Sequence, residues 1–272
     1  MRPYEGDAYV TLTRTLGGVA VDDGSAGRGG LTVPVQAVAP ALQGFRLSAQ
    51  WWRELTFLHW PVPPEHVEHL FPAGSRPDVL DGTTYVGLVP FVMRGAGPGP
   101  LPVPYFGDFC ETNVRLYSLD DQDRHGIVFC TLDATRLATV LLARVGLGLP
   151  YAWSRMRTRR DGDIQRYAYR RRWPSDTAKP RTAISVRIGA PTGPTPTETW
   201  LTSRWGLHTT IAGRGAWIPN EHHPWPLREA ELLRLDSDLV QSCGIEVGHA
   251  QMLRPLWTPG VRTTFGRPQL LH

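Results

Sequence analysis

Short runs of alternating apolar and polar residues, separated by turn residues, dominate the chain. Residues 83–93 are rich in β-branched and aromatic side chains and directly follow the turn pair Asp81-Gly82. Residues 111–119 and 126–132 flank a short polar sequence, a pattern that predicts a β-hairpin. The same pattern predicts further strands at 151–158, 163–173, 181–189, 206–213, 245–254 and 261–265. Strands joined by such short turns pair as antiparallel neighbours.

Helical periodicity is confined to a few short segments. Apolar residues recur about every 3.6 positions over 134–150, and a short helix is predicted at 197–203. An amphipathic stretch covers 227–236, and Pro63-Pro64 opens one more short helical segment. The 28 glycines and 25 prolines argue against long helices. We therefore predict an α+β fold, mostly antiparallel sheet, with two or three short helices packed on it.

One predicted strand carries a ladder of polar side chains on a single face. Because side chains alternate along a strand, one face of 109–117 presents Phe109, Glu111, Asn113, Arg115 and Tyr117. A guanidinium binds a carboxylate through two hydrogen bonds, and a carboxyl group whose pKa is raised by burial exchanges protons near neutral pH. The ladder predicts a polar ligand site anchored by Arg115, with Glu111 as acid or base. A solvent-facing sheet surface explains the same pattern equally well.

Composition restricts the class of protein. The chain has 272 residues, of which 41% are hydrophobic, and such a chain needs no disulfide or metal to hold a core. Residues 1–44 contain eight glycines and neither Trp nor Phe, so we predict a poorly ordered N-terminal extension over 1–44 and a single domain over 45–272. Three cysteines without Cys-x-x-Cys spacing favour a reducing, cytoplasmic setting. No apolar run has the length of a membrane span or signal peptide.

A metal site and a nucleic-acid surface are the two competing interpretations that single motifs offer. His66 and His69 stand beside two glutamates, but no third ligand has matching spacing, so we predict no metal and no cofactor. Eight arginines and two aspartates lie between Arg155 and Arg172, while the rest of the chain is nearly neutral. Interleaved aromatic residues make this segment similar to a nucleic-acid surface, although a solvated sheet face gives the same composition.

Seven sequence blocks carry a resemblance to a known family. They follow one another within about residues 46–268, at 52–72, 80–93, 109–120, 126–156, 201–209, 222–227 and 258–268. Together they resemble the YqjF family, also known as the DUF2071 domain. That family is similar in fold to acetoacetate decarboxylase, in which antiparallel strands close into a barrel or cone around an interior pocket. The resemblance implies this closed sheet for the present chain.

The same resemblance bears on the reaction. Acetoacetate decarboxylase uses an active-site lysine in a Pro-Lys-Lys segment, and the corresponding place here is 149–152, which contains no lysine. Schiff-base chemistry requires a primary amine, and Lys179 is the only lysine of the chain, so Schiff-base decarboxylation is not expected. Glu111 lies in a Phe-x-Glu segment similar to one that bears an active-site glutamate in the decarboxylase. Tyr85 and Tyr151 are predicted pocket walls that can donate hydrogen bonds.

These observations lead to one functional hypothesis and one rival. We expect a cytoplasmic protein that binds a small, mostly apolar organic acid or carbonyl compound, with Glu111 as the catalytic residue if a reaction occurs. The ligand-binding residues we expect are Asn113, Arg115, Tyr117, Tyr85 and Tyr151. The chemistry expected is acid–base chemistry such as enolisation, dehydration or cyclisation. The rival is a non-catalytic interaction protein that uses Arg155–Arg172 on an acidic partner or nucleic acid. The leading hypothesis expects neither a nucleic-acid partner nor a membrane partner, and a homo-oligomer is left open.

Overall fold

The computed structural model describes residues 34–137, 140, 144, 146–174 and 179–271. Within them the strands are β1 Ser48–Val62, β2 Ser75–Pro77, β3 Thr84–Pro98, β4 Phe109–Asp120, β5 His125–Ala134, β6 Tyr151–Asp161, β7 Ile164–Trp173, β8 Arg181–Pro191, β9 Gly206–Ile211, β10 Arg214–His222, β11 Arg228–Ser237, β12 Leu256–Phe265 and β13 Gln269–Leu270. The helices are α1 Pro64–Val67, which continues as a 3₁₀ turn over Glu68–Leu70, α2 Pro196–Thr202 and α3 Leu239–Ser242.

The strand pairings close on themselves in two rings. The first ring runs β1-β3-β4-β5-β9-β10-β12 and returns to β1. The second ring shares β12, β1, β3, β4 and β5, and is completed by β6, β7, β8 and β11. Neighbours are antiparallel except β5, which pairs in parallel with both β6 and β9. The predicted fold class, a mostly antiparallel closed sheet with few short helices, is therefore confirmed.

Each shared strand presents one face to each ring interior. On β4, Val114 and Leu116 belong to a large hydrophobic cluster between the shared strands and β7–β8. The alternate residues, from Phe109 to Tyr117, face the interior of the first ring. Pleating is the reason, since successive side chains leave a strand in opposite directions.

Two glycines allow the first ring to close. The ring closes where Ile127 of β5 pairs with Leu207 of β9. A Cβ atom on Gly126 would come within 2.5 Å of the Trp217 ring, and one on Gly206 within 2.3 Å. The missing side chains therefore provide the space that Trp217 fills at this junction.

Most predicted strands are confirmed. The prediction of a strand at 245–254 is wrong, because this segment is irregular and the strand begins only at Leu256. Sequence reasoning also missed β1, the 15-residue strand Ser48–Val62, as well as β10 and the short β2 and β13, and the amphipathic stretch at 227–236 forms β11. The predicted helix over 134–150 falls partly on residues outside the described set, although those described at 137, 140, 144, 146 and 147 are helical.

The predicted N-terminal boundary stays a prediction, since residues 1–33 lie outside the described set. Residues 34–44 are described, and they contact the domain: Trp205 donates its indole N–H to the carbonyl of Gln36 at 2.7 Å, and Glu221 accepts from the backbone of Leu42 at 3.1 Å. No helix in the described ranges combines the length and apolar character that crossing a bilayer requires.

Candidate functional site

A cavity of about 190 Å³ lies inside the first ring. Its wall is largely apolar, with Val89 and Phe91 of β3, Phe129 and Leu132 of β5, and Leu149 before β6. An apolar cavity of roughly 150 Å³ already admits benzene, so the space suits a small organic molecule. Several lining residues are only half-buried, among them Ser48, Gln50, Ala96 and Leu147.

A bulge in β1 turns both of its halves toward this cavity. Arg53 pairs with Val92 of β3, and the next pair in the register is Leu58 with Leu88. Between these two pairs β1 covers five residues and β3 covers only four, so β1 contains one extra residue. Glu54 lies within this bulge at a φ of 53°. Because one extra residue reverses the alternation, Trp52 before the bulge and Leu55 after it both line the cavity.

Glu111 is a buried carboxyl group on the cavity wall, with 2% of its surface exposed. Tyr151 donates its hydroxyl hydrogen to Glu111 Oε2 at 2.9 Å, and the Asn113 side chain hydrogen-bonds to the same carboxyl group. Burial raises the pKa of Glu111 to about 8; the two hydrogen bonds oppose this rise, and the charge of Asp133 adds to it. Burial and the neighbouring Glu111 raise the pKa of Tyr151 well above its usual value, so Tyr151 stays a donor. The pair can hold or release one proton near neutral pH.

Arg115 lies on the same wall, and a hydrogen-bonded chain through Tyr117 and His59 fixes its side chain. Its Nε donates to the Tyr117 hydroxyl at 3.3 Å, and Tyr117 lies 2.6 Å from His59 Nε2. Because arginine can only donate, the hydroxyl hydrogen is left for His59, which accepts it. Burial and the charge of Arg115 keep the pKa of His59 well below its usual value, so the ring is neutral. Gly87 lies between His59 and Arg115 in the sheet register, where a Cβ would come within 3.1–3.3 Å of both side chains.

The buried charges around Arg115 do not balance. Arg115 and Arg204 are 6% and 4% exposed, and both guanidinium groups lie over the Tyr117 ring. Asp78 forms an ion pair with Arg204 and also accepts from His125. Among the described residues, no carboxylate lies within 4 Å of Arg115, and its two terminal nitrogens have no protein acceptor. A buried cation without a counterion is costly, and an anionic ligand removes that cost.

Two further polar atoms on the cavity wall lack a partner among the described residues. They are the indole nitrogen of Trp52 and the side-chain oxygen of Asn113, both buried. A buried polar atom without a hydrogen bond costs roughly 1–3 kcal/mol. The polypeptide by itself thus leaves several hydrogen-bonding positions of this wall unused.

Sequence comparison gives the family. A profile of the DUF2071 family, described as an uncharacterized conserved protein, matches residues 49–262. The chain belongs to the DUF2071 family. YqjF of Bacillus subtilis strain 168 is 30% identical to it over 189 residues, which cover 69% of this chain and 78% of YqjF.

Solved structures similar to this DUF2071 chain have the acetoacetate decarboxylase fold. Acetoacetate decarboxylase of Legionella pneumophila superposes with a TM-score of 0.59 at 11% identity, over 86% of this chain and 92% of that one. An acetoacetate decarboxylase-like enzyme of Sphingomonas wittichii gives 0.56 at 13% identity, over 86% and 97%. The enduracididine biosynthesis enzyme MppR, complexed with pyruvate, gives 0.54 at 12% identity, over 85% and 92%. At these identities the likeness establishes the fold alone.

The structure brings four of the six predicted site residues to one cavity. Glu111, Asn113, Arg115 and Tyr151 line it. Tyr117 does not; it lies behind Arg115, fully buried, and contacts the guanidinium instead of the open space. Tyr85 shares the face of β3 that lines the cavity but lies beyond the end of the cavity. Its ring is half-buried and packs against Trp200 of α2, with 5.7 Å between the two ring centroids.

Sequence reasoning missed His59, Trp52 and Arg204. The first two lie on β1, whose alternation is interrupted at Glu54, so a simple period of two does not place them. Arg204 lies just after α2 and reaches the cluster only through the tertiary fold. One feature of the sequence could have indicated that His59 faces inward. This residue lies between the apolar residues Phe57 and Pro61, on the strand face that carries Leu55.

The histidine pair His66 and His69 and the arginine segment lie away from this cavity. His66 and His69 are exposed on the helical turn after β1, and the described part of the chain holds no group of three metal-ligating side chains. The arginine segment forms β6 and β7, with most of its guanidinium groups exposed. Arg171 is an exception, since it turns inward and binds Asp133 through two nitrogens at 2.9 and 2.6 Å.

Proposed function

We propose that this protein binds a small, largely apolar carboxylic acid that also bears a carbonyl group, with Arg115 binding the carboxylate. The observation that carries this proposal is the buried guanidinium of Arg115, which faces an apolar cavity and has no counterion among the described residues. A carboxylate accepts two parallel hydrogen bonds from such a group, which matches its two unused terminal nitrogens. The pyruvate complex of the structural neighbour MppR is in keeping with a ligand of this kind.

The reaction we propose is proton exchange next to the carbonyl. The ionised Glu111 takes a proton from the carbon beside the carbonyl, and the C–H electron pair moves to form an enolate. Tyr151 stays protonated, because its pKa lies well above its usual value; once Glu111 has taken up the proton, Tyr151 turns its hydroxyl hydrogen from Glu111 to the oxygen that gains charge. The proton on Glu111 exchanges with solvent, and Glu111 then returns a solvent-derived proton to the carbon, which restores the carbonyl. Lys179 is exposed and does not line the cavity, so no iminium step is included.

Binding is tested by thermal unfolding with a panel of oxo acids that runs from pyruvate to 6-oxoheptanoate. A ligand at about 100 times its Kd adds roughly 2.7 kcal/mol to the free energy of unfolding. We expect at least one acid to stabilise the wild type and Arg115→Met to lose the effect. Arg155→Met, which removes an exposed guanidinium of β6, is the matched control and keeps it. A panel without any stabilising acid, or an Arg115→Met variant that binds as well as wild type, overturns the proposal.

The reaction is tested in D₂O by following loss of the proton signal beside the ligand's carbonyl by NMR. We expect Glu111→Gln to bind the acid and to lose the exchange. The exchange rate of the wild type rises with pH and levels off above about 8, where Glu111 is ionised. Exchange at an unchanged rate in Glu111→Gln contradicts the assigned role.

A second candidate function rests on the outer face of β6–β8. Arg155 lies opposite Arg170, and Arg170 lies opposite Arg181, so three exposed guanidinium groups form a row across the sheet. None of the three is ion-paired within the described ranges, and like charges directly opposite one another destabilise a sheet. With the exposed Trp173 nearby, the row suits single-stranded nucleic acid. Salt-dependent binding of a labelled oligonucleotide, lost in Arg170→Glu, supports this function, and no binding at low salt excludes it.

The cellular compartment in which the protein acts is also part of the proposal. The cysteines Cys110, Cys130 and Cys243 are free thiols, and unpaired cysteines are usual in the cytoplasm. We propose that the protein acts there.

A further inference from the structure

The distance between the two functional groups of the cavity limits the ligand. Glu111 and Arg115 lie four residues apart on one face of β4, with Asn113 between them. Four residues of an extended strand span about 13 Å. Glu111 accepts a hydrogen bond from Asn113, and Arg115 donates its Nε–H to Tyr117, the next residue of the same face on the side away from Glu111. We infer from this anchoring that the ends of the two side chains stay about as far apart as their backbones.

The electrostatics agree with this separation. The charge of Arg115 lowers the pKa of His59 and that of His222. The pKa of Glu111 is set by burial, by hydrogen bonds from Tyr151 and Asn113, and by the charge of Asp133. Arg115 therefore acts on the histidines at its own end of the cavity.

The two groups also lie at different positions along the cavity. The register of β3 against β4 pairs Met93 with Phe109 at one end and Gly87 with Arg115 at the other. Ala96, which also lines the cavity, follows Met93 on β3. Glu111 is thus nearer the end that holds Ala96, and Arg115 is nearer the end that holds Tyr117. A ligand that contacts both groups lies lengthwise along β4.

The spacing sets a minimum length for a ligand that contacts both groups. A hydrogen-bond distance of about 3 Å at each end leaves about 7 Å between the carboxylate oxygen and the reacting carbon. Each bond between heavy atoms adds at most about 1.5 Å, so at least four bonds separate the carboxyl carbon from the reacting carbon. Apart from Asn113, the wall along this stretch is apolar, with Val89, Phe91 and Leu132, and so suits a largely hydrocarbon spacer.

We propose, on the basis of the function proposed above, that the substrates are oxo acids whose carbonyl lies at the end of the molecule remote from the carboxylate. The class is that of oxo acids with the carbonyl at C4 or beyond, or aryl-spaced equivalents, in which a carbon beside the carbonyl is C5 or beyond. Short 2-oxo and 3-oxo acids can reach Arg115 or Glu111 but not both at once. When they bind Arg115, the carbons beside their carbonyl group stay short of Glu111.

Positional isomers of one acid provide the test, because they have the same size and hydrophobicity. Wild-type protein is incubated in D₂O with 2-oxoheptanoate, 4-oxoheptanoate or 6-oxoheptanoate, and exchange next to the carbonyl is followed by NMR, with Glu111→Gln as background. We expect exchange with 6-oxoheptanoate at least about 100-fold faster than with 2-oxoheptanoate, since a misplacement of about 1 Å already costs on the order of 100-fold. All three isomers, and heptanoate as well, are expected to bind through Arg115.

The outcomes separate this inference from the function on which it rests. If 2-oxoheptanoate exchanges as fast as 6-oxoheptanoate, and both depend on Arg115 and Glu111, the spacing argument is wrong and the proposed function stands. If none of the isomers binds, or if binding ignores Arg115→Met, the proposed function fails and the inference fails with it.

Discussion

The two ring interiors are lined by opposite faces of the same strands, yet one is filled by side chains and the other encloses a cavity. The interior between the shared strands and β7–β8 is filled by Leu88, Leu116, Ile184 and other apolar side chains. The interior of the first ring keeps a cavity and places a carboxyl group, an amide and a guanidinium on its wall. A solid core on one face of β4 holds the strand in place, so the other face can carry polar groups whose burial opposes folding.

The largest expected effect comes from removing the same side chain from each interior. Leu116 of β4 is fully buried in the filled cluster, whereas Leu132 of β5 lines the cavity. We expect Leu116→Ala to lower the free energy of unfolding by about 3–4 kcal/mol and Leu132→Ala by about 2 kcal/mol, because Leu132 already has fewer neighbours to lose. Chemical denaturation measures both. Equal losses would show that the two interiors are packed alike.

A smaller effect is expected from the pH dependence of stability. The pKa of Glu111 is about 8 in the folded state and near 4.3 in an unfolded chain. Between these values the folded protein holds the extra proton, so its stability falls as the pH rises from about 5 to 8 and then levels off. We expect Glu111→Gln to match wild type at pH 5 and to exceed it by about 3 kcal/mol at pH 8.

The control for this measurement is Glu246→Gln, which removes an exposed carboxyl group. It should follow the wild-type curve at both pH values. A Glu111→Gln protein whose stability falls with pH as steeply as that of the wild type would contradict the buried, proton-holding state of Glu111.

The smallest expected effect concerns Gly87, which lies between His59 and Arg115. A Cβ there would come within 3.1 Å of the His59 ring and 3.3 Å of Arg115 Cγ, so both side chains must shift by a few tenths of an ångström. We expect Gly87→Ala to lower stability by about 1 kcal/mol and to weaken binding of 6-oxoheptanoate. Gly193→Ala, which meets nothing within 4 Å, is the control. Unchanged binding in Gly87→Ala would mean that the position of Arg115 does not depend on this contact.

The sequence predicted the ladder of β4 well because alternation along a strand is a local property. The placement of Glu111, Asn113 and Arg115 on one face follows from the two-residue period alone. Tyr85 satisfies the same period on β3, but the end of that strand lies against Trp200 and outside the cavity. Alternation gives the face of a residue, and it does not give the position of the cavity along the strand.

Non-local contacts decided the remainder of the site. Tyr151 reaches Glu111 because β6 pairs in parallel with β5, a contact between strands that are not joined by a hairpin. His59 enters because the bulge at Glu54 alters the alternation of β1. Arg204 reaches the Tyr117 ring beside Arg115, and pairs with Asp78, because the segment after α2 meets the segment after β2.

The sequence by itself determined the mostly antiparallel strand pattern, the polar ladder, the presence of a single lysine, and the family. These are properties of residue type and spacing over a few positions, so the chain carries them before it folds. Only the tertiary structure decided that the ladder faces inward, that Arg115 has no counterion among the described residues, and that Glu111 holds its proton to about pH 8. Those properties depend on burial, and burial follows from ring closure between strands far apart in the sequence.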